Sequence, residues 1–383
     1  MRIALVIERL DPFRGGREMS ITQVAAGLAQ RGHEVTILCQ SGSWYGEGVQ
    51  VAVLGRRGLL RVQRRRNFVT DVHAAIAAGH YDVVHTTLPI TGAHVYQPRG
   101  GTVPGQMAAS IRLWGRLGFL RRAMEVLNLS RRLTARLERL VVADPSVHCL
   151  AVSQMVADEL REAYGRVDGV RVVYNGVEVP DCDIGQRADW RQRLRFQLNV
   201  GPQDPVFLTV ASNFRLKGVV ETIAAFSRWY HSHHGQVNAR LVIVGRELVE
   251  GYERMASLRD VGRLVSFVPP TRDIFHWYAA ADAVVLLTWY DPCSRVILEA
   301  ARWGIPSVTT TYNGAAEALS EGAGLVVSSP KDTRAVVAAL DDLADPDRRA
   351  RRVEACQRLA ARLSVSRHVE ELLAVYREVA QRK

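Results

Sequence analysis

The feature that most limits what this chain can fold into is a recurring alternation: a short apolar run, a loop with glycine or charge, a helical stretch, another apolar run. Residues 1–7 read as a first strand, followed by a loop that contains Gly15 and Gly16. Ile21, Val24 and Leu28 then keep a helical period until Arg31-Gly32-His33 ends it, and 35–39 is a second strand. Strand, glycine-bearing loop, helix, strand is how a doubly wound sheet begins, and such sheets take ligands at the carboxyl ends of their strands. Residues 50–54, 81–85 and 147–152 continue the sheet, and a strand with an Asn175-Gly176 turn closes it. A helix near 190–198 and a loop at 201–205 restart the alternation. The runs 206–210, 240–244, 264–268, 283–287, 307–310 and 325–327 then form a second parallel sheet. Residues 366–383 make an amphipathic helix with no strand after it. The fold class expected is α/β: two doubly wound parallel-sheet domains, 1–172 and 173–365, facing across a cleft, with the last helix packed back on the first domain. At 383 residues there is chain enough for two cores.

No apolar run approaches the ~20 residues that cross a bilayer, and the first strand runs straight into Glu8, Arg9 and Asp11, unlike a signal peptide. A cytoplasmic protein is expected. Five scattered cysteines lack the paired spacing of a zinc site or redox dithiol, so reduced thiols and no metal are expected. The net charge of +11 points to an anionic partner. Much of it lies in 106–140, where leucines, Trp114 and Phe119 interleave with eight arginines. That mixture reads either as a helix lying on an anionic membrane, peripheral on the inner face of the cell membrane, or as a basic surface helix packed through its leucines. No recognition motif supports a nucleic-acid partner.

The densest chemistry lies in 289–306. A strand runs into Asp291-Pro292-Cys293-Ser294 and then a helix carrying Glu299. The helix start offers N–H groups and partial positive charge to a phosphate at Cys293 and Ser294. Asp291 and Glu299, roughly 10 Å apart along the axis, are placed to grip hydroxyls at two ends of a sugar nucleotide; the plainer reading is a helix cap and a solvated acid. Arg215 and Lys217, ahead of Gly218 on a loop at the same sheet edge, suit a diphosphate. Gly15 and Gly16 face the first domain's ligand edge but lack the Gly-x-Gly-x-x-Gly pattern. His94 and Arg99 in the polar run after His85, and Asn313 after a second-domain strand, are further candidate contacts; a structural histidine and a plain turn are the alternatives.

Taken in order, the Gly15-Gly16 loop, Arg31-Gly32-His33-Glu34-Val35, Tyr174-Asn175-Gly176-Val177, Arg215-Leu216-Lys217-Gly218, Val242-Ile243-Val244-Gly245 and the segment from Tyr290 to Pro306 resemble the retaining glycosyltransferases of family 4 over essentially the whole chain. The nearer resemblance is to the branch of lipopolysaccharide core glucosyltransferases. The resemblance implies a GT-B fold of two Rossmann-like domains. It also implies hexose transfer, with retention, from a nucleoside-diphosphate sugar to a saccharide or glycolipid acceptor, in lipopolysaccharide or cell-envelope glycan synthesis. No cofactor or metal is implied, the sugar nucleotide being a co-substrate. The family's two acids map onto Asp291 and Glu299, with aspartate where glutamate is usual. By resemblance Glu299 binds the ribose, Asp291 the donor sugar, Arg215 and Lys217 the diphosphate, and Gly16 the donor phosphate or sugar. Arg99 stands where a histidine is half expected. A sugar-nucleotide epimerase or a non-catalytic binding protein of the same fold are the alternatives.

Overall fold

The computed structural model describes residues 1–13 and 15–381, so Arg14 and the last two residues of the expected 366–383 helix lie outside it. The chain divides into two compact units, Met1–Gly176 with Ser364–Lys383, and Val177–Leu363.

The first unit runs β1 (Arg2–Leu10), α1 (Gly16–Ala29), β2 (Glu34–Gly42), β3 (Val49–Val53), α2 (Arg61–Gly79), β4 (Val83–Thr86) and β5 (Val95–Tyr96). It continues with α3 (Val103–Leu113), α4 (Gly118–Leu127), α5 (Leu129–Ala143), β6 (His148–Ala151), α6 (Gln154–Tyr164) and β7 (Val170–Val172). Its seven strands are all parallel, in the order β3-β2-β1-β4-β5-β6-β7. Side chains alternate across β1. Ile3, Leu5 and Ile7 pack with Ile21, Val24 and Leu28 of α1, while Ala4 and Val6 pack on the other face with Phe68 and Val72 of α2.

The second unit runs α7 (Ile184–Gln197), β8 (Val206–Ala211), α8 (Val219–Ser232), β9 (Arg240–Gly245), α9 (Glu250–Ser257), β10 (Val265–Val268), α10 (Ile274–Ala280) and β11 (Ala283–Leu286). It continues with α11 (Arg295–Trp303), β12 (Ser307–Thr310), β13 (Gly324–Val327), α12 (Thr333–Ala344) and α13 (Pro346–Leu359). Six parallel strands take the order β10-β9-β8-β11-β12-β13 around a core that includes Phe207, Phe226, Trp229, Ile243 and Val285. Both sheets therefore reverse direction beside their first strand, at β1/β4 and at β8/β11, the switch point where a crevice opens beyond the strand ends.

The final helix, α14 (Val365–Gln381), belongs to the first unit and places Val369, Leu372, Leu373 and Tyr376 in its core beside α1. Gly176 shows how closely the chain's departure and return pass. A Cβ there would lie 2.5 Å from the carbonyl oxygen of Ser364 and 2.7 Å from Cα of Val365. The Asn175-Gly176 pair is thus a crossing point, and Gly176 does not have the positive φ of an Asn-Gly turn.

Two local expectations change. The 106–140 stretch is three helices: a 3-10 turn at Gly115–Leu117 breaks it once, and Asn128, whose side chain accepts from the Arg131 N–H at 3.1 Å, caps a new start. The polar run after His85 contains the two-residue strand β5, too short for alternation to reveal.

Candidate functional site

Three loops at the carboxyl edge of the second sheet are bolted to one another. The loop after β8 carries Arg215, Lys217 and Gly218, and it meets the loop after β11 through the Trp289 N–H and the Thr288 hydroxyl, both donating to the Leu216 carbonyl, at 2.8 and 3.1 Å. Gly218 makes the approach possible. It has φ +68°, and a Cβ there would lie 1.9 Å from the Leu287 carbonyl oxygen. The loop after β11 is in turn paired with the loop after β12: the Asp291 N–H donates to Tyr312 at 2.9 Å and the Gly314 N–H donates to Asp291 at 2.8 Å.

This scaffold brings Lys217 onto Asp291 as an ion pair, with side chains only 18% and 13% exposed. The other carboxylate oxygen of Asp291 accepts from the Cys293 N–H at 3.2 Å. Asp291 is therefore not the cap of α11; Ser294 holds the N-cap position and makes no side-chain cap bond. Arg215 is exposed, and its guanidinium makes no hydrogen bond or ion pair among the described residues. Glu299 is not a solvated helical acid. Arg295 pairs with it at 3.1 Å one helical turn away, and the Tyr278 hydroxyl of α10 donates to it at 3.3 Å. Burial holds the Glu299 carboxyl above its ordinary value of 4.5, and Arg295 and Tyr278 offset part of that rise.

Several expected contacts have other work. The anion-holding turn is already occupied: the Cys293 N–H is used by Asp291, and the Ser294 N–H donates to the Asn313 side-chain oxygen at 3.2 Å. Asn313 is 1% exposed; its oxygen also accepts from the Ala315 N–H at 3.1 Å, and its amide donates to Thr309 at 2.9 Å. It ties the β12 loop to the start of α11. In the first unit, His94 sits at the amino end of β5, away from the ligand edge. Its Nδ1 accepts from the Val84 N–H at 2.9 Å, extending the sheet pairing.

Arg99 is buried. It donates to the Ser20 hydroxyl, to the Asn175 side-chain oxygen at 3.3 Å and to His368 Nε2 at 2.9 Å. It thereby joins α1, the crossing segment and α14. Burial and this guanidinium drive the His368 imidazole far below its ordinary value and that of His85 down to about 3. His85 also meets the Tyr376 hydroxyl at 2.5 Å. Gly15 is extended (φ −176°, ψ 170°), so the Gly15-Gly16 pair is not a left-handed turn; no side chain caps the start of α1 that it precedes.

Sequence reasoning missed Arg295, although its spacing of four from Glu299 was visible, and Tyr278, Thr288 and Thr309, which carry no signal of their own. Among the described residues no group of three His, Cys, Asp or Glu side chains is placed to hold a metal.

A family model described as "Glycosyltransferase Family 4" matches residues 14–180, and one described as "Glycosyl transferases group 1" matches residues 204–345. The chain is 24% identical over 340 residues to the lipopolysaccharide glucosyltransferase WaaG of Escherichia coli K12, covering 86% of each protein. Three other curated relatives match over part of their length only, of which the chain spans 50%, 26% and 47%. Among solved structures, a WaaG involved in lipopolysaccharide biosynthesis superposes with TM-score 0.83 at 21% identity, over 98% of this chain and 99% of that one. HepE of Anabaena in complex with UDP-glucose superposes with TM-score 0.73 at 19% identity, over 98% and 99%. With two parallel sheets, each reversing beside its first strand, and these matches across both halves, the chain belongs to the family 4 glycosyltransferases.

Proposed function

We propose that the protein moves a hexose from a nucleoside-diphosphate sugar to a saccharide or glycolipid acceptor, with retention of anomeric configuration and without a metal. The observation that carries this reading is the interlocked set of loops at the second sheet's switch point, which gathers Arg215, Lys217 and Asp291 ahead of the helix bearing Glu299. Glu299 takes the ribose hydroxyls. The diphosphate falls to Arg215 and Lys217, because the N–H groups of Cys293 and Ser294 are engaged within the loops. On donor arrival Lys217 exchanges its carboxylate partner for the diphosphate, freeing Asp291 for the donor sugar. The cations then meet the charge that develops on the leaving diphosphate, which lowers the barrier without a protein nucleophile.

The test is thermal stabilisation by a panel of UDP, GDP and ADP sugars, followed by turnover. A matching donor stabilises the protein, and Lys217→Ala keeps the fold while turnover falls about 100- to 1000-fold. A protein that no sugar nucleotide stabilises overturns the reading. The anomeric configuration of the product, read by NMR, decides retention.

The surface of α4 and α5 supports a peripheral membrane location. Phe119, Leu127 and Leu129 are 67, 79 and 70% exposed, whereas the acid of α4, Glu125, is buried between Arg121 and Arg131. Apolar residues outward, with Arg116, Arg122 and Arg132 around them, suit an anionic bilayer that holds a glycolipid acceptor. No helix among the described residues is long and apolar enough to span a membrane.

A further inference from the structure

The carboxyl edge of the first sheet holds a cavity of about 390 Å3 in which arginines converge from several elements. Arg9 comes from the end of β1, Arg56 from the loop after β3, and Arg61, Arg64 and Arg65 from the opening of α2. One acid, Glu8, lines the cavity with the five. Arg64 is occupied in shaping the loop, donating to the carbonyls of Gly58 and Leu59 at 2.9 Å each. The guanidinium groups of Arg9, Arg56, Arg61 and Arg65 make no hydrogen bond or ion pair among the described residues. The neighbouring Arg57, outside the cavity, is by contrast closed off by Asp71.

This arrangement works against the stability of the unliganded fold. Like charges are gathered in a concavity, and Arg61, Arg64 and Arg65 occupy the beginning of a helix with no acid in its first turn, the end where cations are disfavoured. Arg65 is half-buried, and that burial lowers its pKa against the pull of Glu8 and Glu138. A bound anion would reverse each of these penalties. Guanidinium forks match the oxygens of a phosphoryl group in pairs, whereas a neutral hydroxyl brings no charge to meet them. The cavity also opens beyond the ends of β1, β2 and β3, the edge at which such sheets take ligands.

We propose that this cavity binds a phosphoryl group carried by the acceptor, so that the protein selects a phosphorylated saccharide or a lipid with a phosphomonoester headgroup over its neutral counterpart. The assignment to the acceptor rests on the transferase reading; the binding of a phosphoryl group does not.

The experiment is titration calorimetry of the full chain, at low salt, with glucose 6-phosphate, with glucose, and with vesicles of phosphatidylcholine with or without phosphatidic acid. Donor stabilisation by sugar nucleotides is measured alongside. Glucose 6-phosphate or the phosphatidic acid vesicles bind, identifying a soluble or a lipid source respectively, whereas glucose and plain phosphatidylcholine do not. Arg56→Ala with Arg61→Ala, both exposed side chains, weakens binding by at least about tenfold and leaves donor stabilisation as it was. Glu8→Gln removes the opposing charge and tightens binding, a change that misfolding cannot produce. Phosphoryl binding that is absent, or indifferent to both variants, overturns this inference while donor stabilisation persists. Phosphoryl binding without any donor stabilisation leaves the site standing and removes its assignment to an acceptor.

Discussion

Lys217 and Asp291 are charged neighbours in a largely enclosed setting, so neither can be neutralised without exposing the other. Asp291→Asn leaves the ammonium of Lys217 half-buried without a counter-charge, and we expect a loss of about 1–3 kcal/mol in urea unfolding together with loss of turnover. Asp291→Glu restores the length usual in the family; it should retain the pair and most of the activity, as steady-state kinetics would show. Glu299 gives a pH signature. Its raised pKa means that the ribose binding proposed for the ionised carboxylate should fade, as pH falls, earlier than for an ordinary carboxyl at 4.5. For stability the sign is opposite: the folded state holds the proton more tightly, so Glu299 costs stability as pH rises through its raised value. Glu299→Gln should abolish both dependences, measured by sugar-nucleotide affinity and by urea midpoints between pH 4.5 and 7. Arg215, Lys217 and Asp291 stand out in the sequence because they follow strand ends, and Glu299 because it lies eight positions after Asp291. The structural role of Asn313 was not legible, because its side-chain oxygen is held by the start of a helix nineteen positions earlier, and a bond of that kind leaves no periodic trace.

At the scale of elements, the strands were readable because buried parallel strands are short apolar runs, and nearly all of them fall where expected. What escaped was a strand without a pattern, β5, and the way the loops lock together. Gly218 is where that lock is most sensitive. A side chain there needs a left-handed backbone and overlaps the Leu287 carbonyl, so Gly218→Ala should destabilise the second unit by about 2–4 kcal/mol. The loss of turnover should exceed what the unfolded fraction explains; near-normal activity at a normal melting temperature would show that the loops tolerate separation. On α4, Leu127→Ser with Phe119→Ser should leave thermal stability unchanged and reduce sedimentation with anionic vesicles, since both side chains are exposed.

For the molecule as a whole, acid should act first through the buried histidines. His85 and His368 are held neutral in the fold, far below the ordinary 6.5, so the stability they represent is complete above that value and is lost as pH falls below 6.5, for His85 down to about 3. Each contributes a slope of up to about 1.4 kcal/mol per pH unit in that window. Urea midpoints at several pH values should show it, and His85→Gln with His368→Gln should flatten it even if both midpoints drop. His368 lies on α14, and the helix has a consequence for biosynthesis. Residues made after the second unit complete a core begun by residues made before it. At roughly 5–20 residues per second, the early sheet waits many seconds on the ribosome with the face that α14 covers still open. The second unit, continuous in the chain, can close before it. A nascent chain arrested before Val365 should thus resist protease in its later half and be cut in its earlier one.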